Sequence, residues 1–180
     1  FYTYNAANGT VSYLGALLGL TYIAQAARDP RVSDVLERVY IETGTALARK
    51  YGIPLAEQME FAATSRAKLR DEIIVDTLER NARDPLRKLG PDDRLVGPAR
   101  LALEYGVQPE GLATAIAAAL LYESPGDPSA ESLSRMRAEK GAGYVLQNVC
   151  MLMEGDALYA LVTEKLGELR AKGWLRAGRI

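Results

Sequence analysis

Apolar residues recur along this chain every three to four positions, and clusters of Gly, Pro, Asp and Ser interrupt the pattern. That period places side chains on one face of an α-helix. Residues 9–27 are rich in Ala and Leu, with Val11, Leu14, Leu17 and Leu18 at helical spacing. Asp29-Pro30 reads as an N-cap followed by proline at the first helical position. The helix it opens carries Val32, Val35, Leu36, Val39 and Tyr40 on one stripe, continues through Leu47 and stops at Gly52. Residues 54–70 predict another helix, and 71–81 a shorter one with Ile74 and Leu78 facing inward.

Further along, helices are predicted over 91–105 and 109–121; the second is apolar all round and so is expected at the centre of the core. Ser124-Pro125-Gly126-Asp127-Pro128 is a turn, and 129–139, 143–153 and 156–172 are three further helices. No segment alternates as a strand would, and no repeat or low-complexity tract interrupts the series. The expected fold is all-α: one bundle of about eight or nine helices over residues 1–180. The ten tyrosines are spread along the helices and read as amphipathic packing.

Composition narrows the chemistry. With 22 Lys+Arg against 23 Asp+Glu the net charge is −1, so no nucleic-acid partner is expected. No apolar run would span a bilayer and no signal-peptide pattern stands at the start, so no membrane partner is expected and the expected location is cytoplasmic. The chain starts at Phe1 directly in structured-looking sequence, as a piece of a longer protein would. Cys150, in an apolar setting and without a partner cysteine, reads as a core thiol in a reducing compartment. There is no histidine, so a Ser-His or Cys-His nucleophile, an imidazole base and the usual zinc sites all fall away; no metal is expected. No G-x-G-x-x-G or P-loop is present, and Gly141-Ala142-Gly143 reads as a helix start. This chain is therefore not expected to hold a dinucleotide by itself.

The densest chemistry lies between Arg80 and Leu95, where five cations (Arg80, Arg83, Arg87, Lys88 and Arg94) fall within fifteen residues. Pro85 and Pro91 keep this stretch from forming one long helix. Cations converging from such a bend can clamp a phosphate or carboxylate through charge-assisted hydrogen bonds. From charge alone a solvated basic loop is the simpler alternative.

Taken together, Asn5, Tyr13-Leu14-Gly15, Glu42-Thr43-Gly44, Lys50-Tyr51-Gly52, Asp84-Pro85-Leu86-Arg87-Lys88-Leu89, Asp92-Asp93-Arg94-Leu95 with Pro98, Leu103-Glu104-Tyr105-Gly106 and Ala117–Tyr122 resemble the C-terminal domain of the polyol-specific long-chain dehydrogenases. The nearest branch in that resemblance is the mannitol-1-phosphate 5-dehydrogenases, and it covers almost the whole chain. It implies a helical domain like the C-terminal domain of 6-phosphogluconate dehydrogenase, working beside an N-terminal Rossmann domain in cis that binds NAD. It implies a small-molecule substrate, a sugar phosphate or polyol, bound in the cleft between the two. The family motif reads Lys-x-x-x-x-Asn-x-x-His. Asn5 matches its asparagine, the lysine would stand one position before Phe1, and the histidine position falls on Asn8, a departure.

By that match Asn5 would donate to the developing oxyanion, and Asn8 can donate but cannot take a proton. Arg80 and Lys88 match positions that hold polyol oxygens, and Arg83 and Arg87 suit the phosphate of a sugar phosphate. Arg94 pairs with Asp92 or Asp93, and Asp84 is expected to fix the arginine geometry. Read alone, Asn5 is an N-cap and Asn8-Gly9 a turn-and-cap element. Two other functional classes stay open: a catalytically impaired helical module that binds an anionic sugar or sugar acid, and a purely structural or dimer-forming domain.

Overall fold

The computed structural model describes residues 1–173, and every regular element among them is a helix. In chain order these are α1 (Tyr2–Leu17), α2 (Ile23–Arg28), α3 (Pro30–Tyr51), α4 (Leu55–Leu69), α5 (Leu78–Ala82), α6 (Pro85–Lys88), α7 (Val96–Glu104), α8 (Glu110–Leu121), α9 (Pro128–Asn148) and α10 (Ala157–Ala171). The all-α expectation holds. At the centre lie α1 and α8, packed on each other and both against α3. From Gly111 to Leu121 every residue of α8 except Thr114 is buried, as its apolar composition predicted. The N-cap of α3 is also as predicted: Asp29 accepts from the Arg31 amide at 3.0 Å, Pro30 follows, and Gly52 closes the helix in the left-handed conformation.

Several boundaries differ from the pattern reading. The first helix begins at Tyr2, not residue 9, so Asn5, Asn8 and Gly9 lie inside α1 and neither Asn is an N-cap. Low helix propensity there is overridden by burial of Thr3, Ala6, Ala7 and Thr10, while Thr10 Oγ and Ser12 Oγ donate back to the carbonyls of Ala6 and Asn8 at 2.8 and 2.7 Å. The same helix stops at Leu17, ten residues short of the predicted end, because Gly19 turns the chain at φ 71°. Residues 71–77 are not helical. Thr77 pairs with Tyr22 in an isolated antiparallel bridge and then caps α5, and Ile74, expected inside, is 45% exposed, whereas Leu78 is buried.

The predicted helices 129–139 and 143–153 form one element, α9, kinked at Gly141 (φ 85°, ψ 164°) and ending at Asn148. Cys150 therefore follows the helix. It is fully buried, and burial pushes its thiol up to about 12, as befits a packing residue. Finally, α7 begins at Val96, because residues 91–95 are occupied by turns.

Candidate functional site

One end of α1 meets the Arg-rich segment. Asn5 and Asn8, three residues apart, stand on the same side of that helix. Opposite them the chain makes two short helices joined at Arg83-Asp84: α5 carries Arg80 and Asn81, and α6 carries Arg87 and Lys88. Asp84 bends the chain between them in the left-handed conformation, φ 59° and ψ 56°, and Pro85 starts α6 at once. Tyr13, buried in α1, fastens the junction by donating its hydroxyl to Ala82 O at 3.1 Å.

Two hydrogen-bonded chains result. In the first, Asn8 Nδ2 donates to Asn81 Oδ1 at 3.1 Å, Asn81 Nδ2 donates to Thr77 O at 3.0 Å, and Lys88 Nζ donates to Asn81 O. In the second, Arg94 Nη1 donates to Asn5 Oδ1 at 3.3 Å and Arg94 Nε to Asp93 Oδ1 at 2.9 Å. Arg87 extends it, donating Nη1 to Asp93 Oδ2 at 3.2 Å and Nε to Asp84 Oδ2 at 2.7 Å. Lys88 is 5% exposed. Burial first, then the guanidiniums of Arg94 and Arg87, push its ammonium down to about 8. Burial opposes ionisation of Asp84 and Asp93, but hydrogen bonds from Arg87 and Ser129 to the first, and from Arg94 to the second, hold both carboxyls below the usual range.

The structure thus places Asn8 and Lys88 in one hydrogen-bonded chain and Asn5 with Arg94 and Arg87 in the other, and leaves Arg80 and Arg83 outside both. Arg80 is 74% exposed in its side chain and reaches only Asp76 Oδ1, at 3.5 Å; that oxygen is buried and accepts no hydrogen bond among the described residues. Arg83 is exposed and makes no hydrogen bond or ion pair among them. Arg83 and Arg87 differ in their surroundings: Arg87 is compensated by two carboxylates, and Arg83 by none among the described residues. Two participants were not foreseen as site residues: Arg94, expected chiefly as an ion-pair partner of its acidic neighbours, and Asn81. The pairing with Asp93 was readable from adjacency, but the reach to Asn5 spans 89 residues and left no local signal. Two pockets, of about 650 and 820 Å³, are lined by other residues.

Donor capacity remains. Each Asn amide has two N–H groups; Asn5 uses one on Phe1 O at 2.9 Å and Asn8 one on Asn81. Lys88 has three donors and uses one. Asn5, Asn8 and Lys88 can therefore still present N–H groups to the oxygens of a hydroxylated ligand.

A helical domain that presents amides and a buried ammonium in this way is suited to holding an oxygen-rich small molecule. The sequence profile of the mannitol dehydrogenase C-terminal domain matches residues 1–169, and the chain belongs to that family. Mannitol-1-phosphate 5-dehydrogenase of Exiguobacterium sp. strain AT1b is 36% identical over 169 residues, 94% of this chain and 44% of that protein. The protein of the same name from Bacillus licheniformis is 38% identical over 165 residues, 92% of this chain and again 44% of its own length. This chain spans less than half the length of these curated relatives. Among solved structures, Pseudomonas fluorescens mannitol 2-dehydrogenase in ternary complex with NAD and D-mannitol superposes with a TM-score of 0.71 at 20% identity. The match covers 94% of this chain and 37% of that one, and it shows the shared fold.

Proposed function

We propose that this chain is the substrate-binding part of a cytoplasmic, NAD-dependent oxidoreductase that interconverts a polyol phosphate and a keto-sugar phosphate, of the mannitol 1-phosphate and fructose 6-phosphate type. The observation that carries this reading is the pair of hydrogen-bonded chains, Asn8–Asn81–Lys88 and Asn5–Arg94, which lie wholly within the residues matched to the family. The described residues include no strand–glycine-loop–helix unit, so they do not fit a dinucleotide, and NAD would be held by a Rossmann domain preceding this chain. NAD supplies the hydride acceptor. The work of this chain is orientation: Lys88 and Arg80 hold polyol oxygens, while Asn5 and Asn8 direct amide N–H groups at the oxygen on which charge develops.

The test is a steady-state assay of the protein carrying its preceding sequence, with fructose 6-phosphate and NADH and with free fructose as control. Strong preference for the phosphorylated sugar is expected; equal or absent turnover of both would refute the assignment. A second reading, a helical module that binds an anionic sugar or sugar acid without turnover, is favoured by one observation: Asn8 stands at the family's histidine position and is tied to Asn81. A residue other than lysine immediately before Phe1 would favour that module.

A further inference from the structure

Asp127 closes the turn before α9 and caps that helix: its Oδ1 accepts from the amides of Ser129 at 3.0 Å and Ala130 at 3.4 Å. Capping needs only that one oxygen. The other, Oδ2, reaches across to the Arg-rich segment and accepts from the Asp84 amide at 2.9 Å. Two residues on, Ser129 Oγ accepts from the Leu86 amide at 3.0 Å. The first turn of α9 therefore grips the backbone on both sides of Pro85.

The gripped residue is the strained one. Among the described residues only Asp84 and Met151 take a positive φ without being glycine, and such a conformation persists where its surroundings impose it. With the bend fixed, the Asp84 carboxylate turns to Arg87, and Arg83 on its other side is left with no carboxylate partner. Neighbouring parts of the site have separate supports. Ala82 and Leu89 are fully buried, and Lys88 and Asn81 are bonded to each other. Loosening the bend would thus fall first on Arg83.

We propose that Asp127, assisted by Ser129, is a positioning residue for anion recognition: by anchoring the 83–86 bend to the start of α9 it keeps Arg83 uncompensated and directed at the phosphate of the substrate. This rests on the polyol-phosphate reading above. Asp127→Ser separates the two jobs of the residue, since serine still caps α9 and lacks the second oxygen. In the protein carrying its preceding sequence, Asp127→Ser is expected to lower the preference in kcat/KM for fructose 6-phosphate over fructose by about tenfold, equivalent to about 1.4 kcal/mol. The loss should lie in KM, with the thermal midpoint little changed. The double variant Asp127→Ser/Arg83→Ala should be no worse than Arg83→Ala alone, because the first acts through the second. An unchanged preference in Asp127→Ser, or fully additive losses, would overturn the proposal.

Amide hydrogen exchange supplies a readout independent of turnover: Asp84 should exchange at least about tenfold faster in Asp127→Ser, and unaltered exchange would also overturn it. If the wild-type protein turns over neither sugar, the functional reading fails by itself. Inorganic phosphate titrated against the Arg83 guanidinium resonance then decides: a response that Asp127→Ser abolishes sustains the anchor, and no response, or one that the variant keeps, refutes it.

Discussion

Lys88 carries its charge at neutral pH inside the protein, with an ammonium that burial and two guanidiniums have pushed down to about 8. Two consequences follow with defined signs. In the proposed role of binding polyol oxygens, the ammonium loses a proton as pH rises through about 8, so KM for the substrate should climb above that point while a Lys88→Arg variant, charged throughout, shows no such rise. For stability the sense is opposite: between about 8 and the unfolded value near 10.4 the unfolded chain binds more protons, so the protein gains stability as pH increases across that window, by at most about 3 kcal/mol at 1.36 kcal/mol per unit. Denaturant titrations of wild type and Lys88→Met at pH 7 and 10 should show the stability advantage of the variant shrinking at the higher pH; a constant gap would mean that Lys88 titrates normally. Asn8 invites a second substitution. Asn8→His restores the donor of the family and adds a group able to take a proton, so turnover of the active protein should rise; a fall of more than about tenfold, 1.4 kcal/mol, would show that the surroundings of Asn8 suit another reaction. Of these residues the sequence exposed Asn5, Asn8 and Lys88, because a family motif and a charge cluster marked them. Asn81 was hidden, since its role consists of a side-chain oxygen and a backbone carbonyl to which two distant residues happen to fold.

Among the elements, α3 and α8 are joined by a contact that the hydrophobic pattern had no means of showing. Glu42 lies deep in α3, 5% exposed, three residues after Val39 and seven after Val35 on the apolar stripe. It accepts from the amides of Gly111 at 2.6 Å and Leu112 at 2.9 Å, two of the unpaired donors at the start of α8. Position 111 must be glycine for this approach, because a Cβ there would meet Arg38 Cβ at 2.9 Å and Val39 N at 3.0 Å. Burial pushes the Glu42 carboxyl up to about 7 against the opposing pull of the two amides. Its stabilising contribution is therefore whole below about 4.3 and declines as pH rises through 7. Glu42→Ala leaves two buried N–H groups without acceptors, at about 1–3 kcal/mol each, and should destabilise the protein by roughly 2–5 kcal/mol, more at pH 5 than at pH 8. Equilibrium unfolding at both pH values checks this, and a gap that widens towards pH 8 would contradict the raised carboxyl. By contrast, α3, α8 and α10 were legible from periodicity, and α3 also from Asp29-Pro30 and Gly52 at its ends. Misplaced boundaries fell where tertiary burial outweighed local propensity, at Asn5–Gly9, or where one glycine, Gly141, bends a helix without ending it.

At the scale of the whole molecule, the described residues form one principal core running from Ala6 to Leu169, with a satellite around Ala46, Leu101 and Ala102. Most of α1 and α8 is buried against other helices of this chain. The candidate site is different: its residues line neither of the two cavities, and in the proposed reading a preceding domain completes it. Folding and cofactor binding should therefore separate. Expressed alone, residues 1–180 are expected to unfold in a single cooperative transition with a helical circular-dichroism spectrum, and to take up no NAD(H) in calorimetric titration. The described helices offer no glycine-rich turn between strand and helix where a pyrophosphate could lie on backbone amides. Inorganic phosphate, in contrast, should still perturb Arg83, since that guanidinium lacks a partner among the described residues. Tight stoichiometric NAD(H) binding to the 180-residue chain would place the cofactor site here and overturn the division of labour between the two domains. A sloping, non-cooperative melt would instead mean that the helical core does not fold independently.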